Sequence, residues 1–228
     1  QGHKHVLGMA DGASENAAVA TALLEDLVAR GVKPDRRRLF VIDGSKALRR
    51  AIDTVFGAGQ PVQRCRAHKG RNVLGHLPEP LKDPVKATLK AAFRLSVPEG
   101  SARLEKLAQR LEREYPSAAA TLSEGLGELS TVNRLGLSSS LSRCLTTTNL
   151  IESPHSGVRL RTRRVTRWKD GAMVLRWAAT AFLNGLEKPC GRRFRAPEST
   201  NQGEAGRLHE SDAENRFQSQ KHQLSTWR

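Results

Sequence analysis

The chain has 228 residues, with 38 lysines and arginines against 23 aspartates and glutamates, a net charge of +15, and only 4% aromatic residues. The 38% hydrophobic content, taken with 19 glycines, is close to that of ordinary globular domains and argues against wholesale disorder. No apolar run approaches the roughly 20 residues of a membrane span, three cysteines argue against a disulfide scaffold, and the positive excess favours a polyanionic partner over a small-molecule substrate. The expectation is a soluble, cytoplasmic protein that binds nucleic acid and no membrane.

In chain order, His5 to Met9 reads as a short strand and Asp11-Gly12 as a turn. Ser14 or Asn16 caps a helix with Ala18, Ala22, Leu23, Leu27 and Val28 on its apolar face, ending at Gly31. Leu39 to Ile42 is a run of apolar residues with the pattern of a strand buried on both faces. Asp43-Gly44-Ser45 stops it, and a helix follows with Ala47, Leu48, Ala51, Ile52 and Val55 inward. Pro61 to Cys65 makes a third strand, so this part alternates strand and helix. Between Leu77 and Ser140 the spacing turns helical throughout: Val85, Leu89, Ala92 and Phe93, then Leu104, Leu107, Leu111 and Tyr115, then Leu122, Leu126 and Leu129, with Pro98, Gly100 and Pro116 as separators. Gly171 to Leu186 is an amphipathic helix with Met173, Leu175, Trp177, Ala178, Ala181 and Phe182 available for burial. Beyond Lys188 apolar residues become too sparse for a core. The expected organisation is α/β: 1–74 as the first part of a core, 75–145 as a helical insertion, 146–187 as the last part of the core, and 188–228 as a disordered tail.

Positive charge gathers in three places. Arg159, Arg161, Arg163, Arg164 and Arg167 precede Trp168 and Lys169 with no compensating acid before Asp170, and guanidinium forks match phosphate geometry. This run, with Trp168, is the expected nucleic-acid-binding face. Lys33 with Arg36 to Arg38, followed by Lys46, Arg49 and Arg50, is a second cluster, as readily a solvated face. Arg64, Arg66, His68, Lys69 and Arg71 are a third.

Two acids stand out. Asp43 ends a buried strand ahead of Gly44, where α/β folds place functional side chains and where a carboxylate can hold Mg²⁺; it could equally cap the next helix. Glu152 precedes the arginine run. Asn149-x-x-Glu152 fits a capping box, whereas Pro154 at a first helical position with Ser153 as cap would put Glu152 just ahead of a helix. Cys65-x-x-His68 supplies half of a zinc site; a packed Cys and a hydrogen-bonded or phosphate-facing His is the preferred reading.

Jointly these stretches resemble the Mutator-type insertion-sequence transposases of bacteria. The matching text is Lys4-His-Val-Leu-Gly-Met, Ser14-Glu-Asn, Val41-Ile-Asp-Gly-Ser-Lys-Ala-Leu and Val62-Gln-Arg-Cys-Arg-Ala-His-Lys with Arg71-Asn-Val. It continues with Thr148-Asn-Leu-Ile-Glu-Ser, Gly157-Val-Arg-Leu-Arg-Thr-Arg-Arg-Val, Arg167-Trp168 and Arg176-Trp177, over about residues 2 to 187. The resemblance implies an RNase H-like core interrupted by a helical insertion, and a DDE enzyme in which three carboxylates hold two Mg²⁺ (or Mn²⁺) ions for phosphodiester cleavage and strand transfer. Asp43 matches the second acid and Glu152 the third; Cys65 and His68 match a Cys-x-x-His element taken as structural or DNA-positioning. The complete enzyme is expected to act on element ends and target DNA as a homo-oligomer at the nucleoid, which makes DNA the nucleic acid expected at the arginine run.

The family's first aspartate lies upstream of the stretch matching His5 to Met9, and Asp11 is not taken as its replacement. The expectation is therefore a fragment without its leading strands, with impaired catalysis and poor solubility, and with an altered or out-of-frame ending after Glu187. The alternative is a non-catalytic basic DNA-binding remnant; ten scattered aromatics give an RNA-binding reading little support.

Overall fold

The computed structural model of the chain describes residues 5–10 and 16–186. Asn16 opens helix α1 (Ala17–Ala29), its side-chain oxygen accepting the Val19 N–H at 2.9 Å, as an N-cap should. Strand β1 (Phe40–Ile42) leads through a turn to helix α2 (Lys46–Phe56), and strand β2 (Val62–Arg64) pairs with β1 in parallel, Phe40 opposite Val62 and Ile42 opposite Arg64. Gly44 takes φ +118°, a backbone conformation that side chains resist, which lets the chain turn sharply off β1. Leu24, Ile42, Ala51, Ile52, Phe56 and Val62 close a small core among these elements.

Helices occupy the rest: α3 (Arg66–Gly75), α4 (Glu79–Ala92), α5 (Val97–Glu112), α6 (Pro116–Ser123), a 3₁₀ turn (Leu126–Ser130), α7 (Thr131–Arg134), α8 (Ser139–Leu145), α9 (Asn149–Thr162) and α10 (Gly171–Leu186). The spacing read from the sequence is realised in a second, larger core. Val85, Leu89, Leu104, Leu107, Leu111, Leu122 and Leu129 are buried in it, with Phe93, Tyr115 and Leu126 packed at its margin. Pro98 and Gly100 do not separate helices. Both lie in the first turns of α5, where proline loses no helical hydrogen bond. A Cβ on Gly100 would stand 2.6 Å from the Ala92 carbonyl oxygen, so the glycine permits the close approach of α4 and α5.

A polar seam joins the two cores. Gln63, fully buried on β2, donates to the Leu129 carbonyl at 3.0 Å and accepts the Val132 N–H at 2.9 Å. Arg64 reaches Glu128 at 3.3 Å and Glu124 at 3.4 Å. Arg66 donates to the Leu129 carbonyl at 2.9 Å and lies over the Phe93 ring at 4.4 Å; burial pulls its guanidinium down to about 10. Lys69 donates to the carbonyls of Thr121 and Glu124 at 2.6 and 2.7 Å, satisfying the C-terminal end of α6.

Several expectations change. Residues 5–10 form no strand: Val6 and Leu7 are exposed, and the Leu7 carbonyl accepts from the Arg30 side chain at 2.6 Å instead of from a neighbouring strand. Among the described residues the sheet therefore has two strands, not three. On α1 the buried residue is Leu24, while Ala18 and Ala22 face solvent; on α10 Trp177 is exposed and Ala181 and Phe182 carry the burial. Among the described residues no helix is long and apolar enough to cross a membrane. Asp11, Gly12, Ser14 and the expected tail 188–228 lie outside the described residues.

Candidate active site

The parallel pairing sets the site. Ile42 and Arg64 are the last register partners, and one step further the Cys65 N–H donates to the Ile42 carbonyl at 2.7 Å. Asp43 thus leaves β1 at the end where Cys65 leaves β2. Asp43 is exposed, and its Oδ1 accepts the Ser45 N–H at 3.0 Å. The cap of α2 is Ser45 itself, whose Oγ accepts the Leu48 N–H at 3.1 Å, so helix capping does not account for Asp43.

Cys65 caps α3 and is wholly buried, its sulfur accepting the N–H groups of His68 at 3.5 Å and of Thr148 at 3.3 Å. Thr148 is the N-cap residue of α9, and Glu152 stands in the first helical turn. Neither expected arrangement holds there. Asn149 is inside the helix instead of capping it, and α9 begins four residues before Ser153, carrying Pro154 within it. The Thr148 hydroxyl donates to Glu152 Oε1 at 2.6 Å, and the Thr148 oxygen lies 3.1 Å from His68 Nδ1 and 3.3 Å from Cys65 Sγ. His68 Nδ1 is 3.6 Å and an Arg71 guanidinium nitrogen 4.0 Å from Oε1. The Thr148 hydrogen bond, with the charges of His68, Arg71 and Arg159, holds the Glu152 carboxyl below the usual range, so it is an anion at neutral pH. Hard, solvent-accessible carboxyl oxygens such as those of Asp43 and Glu152 are the donor type a magnesium ion takes, and both residues fit that role chemically.

The structure therefore brings Cys65, His68 and Glu152 together across more than eighty residues of chain, and backbone bonding puts Asp43 at the same end of the sheet. Thr148 was missed as a site residue. Its signal was the four-residue spacing to Glu152, one helical turn. Arg159, Arg161, Arg163, Arg164, Arg167 and Trp168 all face solvent from α9 and the segment before α10. The third basic cluster behaves differently: Arg64, Arg66 and Lys69 are taken up by the seam, and Arg71 remains exposed beside Glu152.

A two-stranded parallel α/β unit carrying acids at its strand end and at a helix start, beside an exposed arginine run, is the setting in which the comparisons fall. The family model for Mutator family transposases matches residues 1–187, and the chain belongs to that family. It is 31% identical over 166 residues to the transposase for insertion sequence element IST2 of Acidithiobacillus ferrooxidans, covering 72% of this chain and 54% of that protein. It is 29% identical over 163 residues to the transposase for insertion sequence element IS6120 of Mycolicibacterium smegmatis, covering 71% and 49%. The chain spans about half the length of these relatives.

Proposed function

We propose that this chain is part of the catalytic domain of a DDE transposase, with Asp43 and Glu152 as two carboxylates of an RNase H-like site that holds Mg²⁺ or Mn²⁺. The observation that carries the reading is the bonded path between them. The Ile42 carbonyl holds the Cys65 N–H, the Cys65 sulfur holds the Thr148 N–H, and the Thr148 hydroxyl holds Glu152. This path supports a reading in which two acids far apart in the sequence serve one site at this end of the sheet. A divalent ion bound there supplies Lewis-acid stabilisation of the attacking and leaving oxygens in phosphodiester cleavage and strand transfer.

The protein's own part is positioning. Thr148 orients Glu152 and keeps it ionised, and the turn at Gly44 presents Asp43 to solvent. Arg159 lies seven residues beyond Glu152, two helical turns along the same face, so the arginine run starts beside the acid. DNA whose backbone lies along Arg159 to Arg167 would bring phosphates to the carboxylates.

The test is Mn²⁺ binding followed by electron paramagnetic resonance. Asp43→Asn and Glu152→Gln should each weaken binding at least tenfold without altering the helical circular dichroism. Mn²⁺ affinity unchanged in both variants overturns the assignment. Cleavage of a duplex carrying the element's ends by a full-length transposase containing this segment, dependent on Mg²⁺ and lost in Asp43→Asn, is the corresponding activity measurement.

A further inference from the structure

Among the described residues one group of three histidine, cysteine or acidic side chains brings its ligand atoms together: Cys65 Sγ, His68 Nδ1 and a Glu152 oxygen, all within 4.8 Å of one another. We propose that this group is a second metal site, chemically distinct from the carboxylate site for magnesium, and that it takes a thiophilic divalent ion, zinc foremost.

Distances carry the argument. A tetrahedral zinc ion with bonds of about 2.3 Å to sulfur and about 2.0–2.2 Å to nitrogen and oxygen has its ligand atoms about 3.3–3.6 Å apart. Here Sγ to Nδ1 is 3.3 Å and Nδ1 to Oε1 is 3.6 Å. Two of the three donor pairs stand at the spacing of a coordination shell, and the third lies within 4.8 Å. The Thr148 hydroxyl, 2.6 Å from Oε1, is closer than two ligands of one zinc ion stand; it hydrogen-bonds the donors and is not counted among them.

The surroundings suit a bound thiolate. Backbone N–H groups of His68 and Thr148 both point at the sulfur, the outer-shell bonding that fixes a ligating cysteine and offsets its charge. Cys65 is wholly buried while Glu152 is half-exposed, so an ion can enter from the carboxylate side. A soft sulfur beside an imidazole selects zinc over magnesium, which asks for oxygen. Cys65 and His68 are the half-site visible in the sequence, and the third ligand arrives only when α9 folds against α3. A metal here would tie the start of α9, and with it Glu152, to the end of β2. A carboxylate has two oxygens, and Oε1 is the one turned toward His68, so Glu152 can serve both ions.

The inference stands whether or not the chain cleaves DNA, because the test reads ligands. Stoichiometric Co²⁺ added to the apo chain should give a sulfur-to-cobalt charge-transfer band with the intense visible bands of a tetrahedral ion, and Zn²⁺ should bleach both. Cys65→Ser should abolish the charge-transfer band. Should that buried variant fail to fold, Glu152→Gln, at a half-exposed position, should lower Co²⁺ affinity at least tenfold while the charge-transfer band persists at saturation. Asp43→Asn should weaken Mn²⁺ and leave the cobalt spectrum unchanged, separating this site from the preceding proposal. No charge-transfer band in the folded wild-type chain, or a Co²⁺ affinity indifferent to both His68→Gln and Glu152→Gln, overturns it.

Discussion

Two arginine-rich stretches of similar composition meet opposite fates. Arg64, Arg66 and Lys69 turn inward at the seam between the two cores, whereas Arg159, Arg161, Arg163, Arg164 and Arg167 stay in solvent. What separates them is not their own charge density but what reaches them from elsewhere. Glu124, Glu128 and the carbonyls of Thr121, Glu124 and Leu129, some sixty residues downstream, claim the first set. No acid lies within the second run, and two of its arginines, Arg159 and Arg161, stand in the last turn of α9, where the helix dipole tolerates cations. A basic cluster is thus a docking device in one place and a solvent-exposed face in the other.

The contrast breaks most sharply at Arg64, whose side chain is 8% exposed between Glu124 and Glu128. Removing one member of a buried ion pair costs about 3–5 kcal/mol, because the partner charge stays behind. The carboxylates left behind are 42% and 24% exposed, and Glu128 keeps Arg49 and Glu124 keeps Lys46, so Arg64→Ala should fall below that range, at about 2–3 kcal/mol in urea unfolding. A loss under about 1 kcal/mol, the scale of an exposed pair, would make the seam no different from a surface contact.

Lys69 gives a pH signature. Burial pulls its ammonium down to about 8, with the nearby Arg64 acting in the same direction and Glu124 and Glu128 opposing. Between about 8 and 10.5 the unfolded chain holds a proton that the folded chain has given up, so stability should rise with pH across that window. Lys69→Met should remove this part of the rise and, by orphaning the two carbonyls it serves, lower stability at neutral pH by about 1–3 kcal/mol. An identical pH profile in the variant would mean that the ammonium is not desolvated by the seam.

Local pattern explains what could be read from sequence. Leucines at helical spacing predict α4 to α6, because burying a stripe requires only that spacing. Asn16 and the Asp43-Gly44-Ser45 stop predict their helix starts and strand end for the same local reason. The reading failed where a partner decided. Val6 and Leu7 look like a strand, but strand pairing needs a neighbour, and Arg30 takes the Leu7 carbonyl. Glu152 matched a capping box, yet Thr148 starts the helix because its hydroxyl and N–H are committed to Glu152 and Cys65. Cys65 and His68 read as a packed cysteine and a hydrogen-bonded histidine, and the structure buries the one and bonds the other to Thr148; only the closeness of Glu152, eighty-four residues beyond His68, had no local signal.

The smallest change in stability should come from the exposed run. Arg161, Arg163 and Arg164 all face solvent, and the contact of Arg161 with the Gly157 carbonyl, at 3.5 Å, is long. Replacing the three by alanine should shift the unfolding midpoint by no more than about 0.5 kcal/mol per site. DNA binding should move instead. Each phosphate contact contributes about 0.9 to the slope of log affinity against log salt, so the triple variant should lose up to about 2.7 of that slope. The loss should occur equally in the presence of a chelator, since these cations need no metal to meet phosphate. If DNA affinity and salt slope are unchanged while stability falls as far as in Arg64→Ala, the arginines of α9 belong to a second seam, and the distinction between the two clusters disappears.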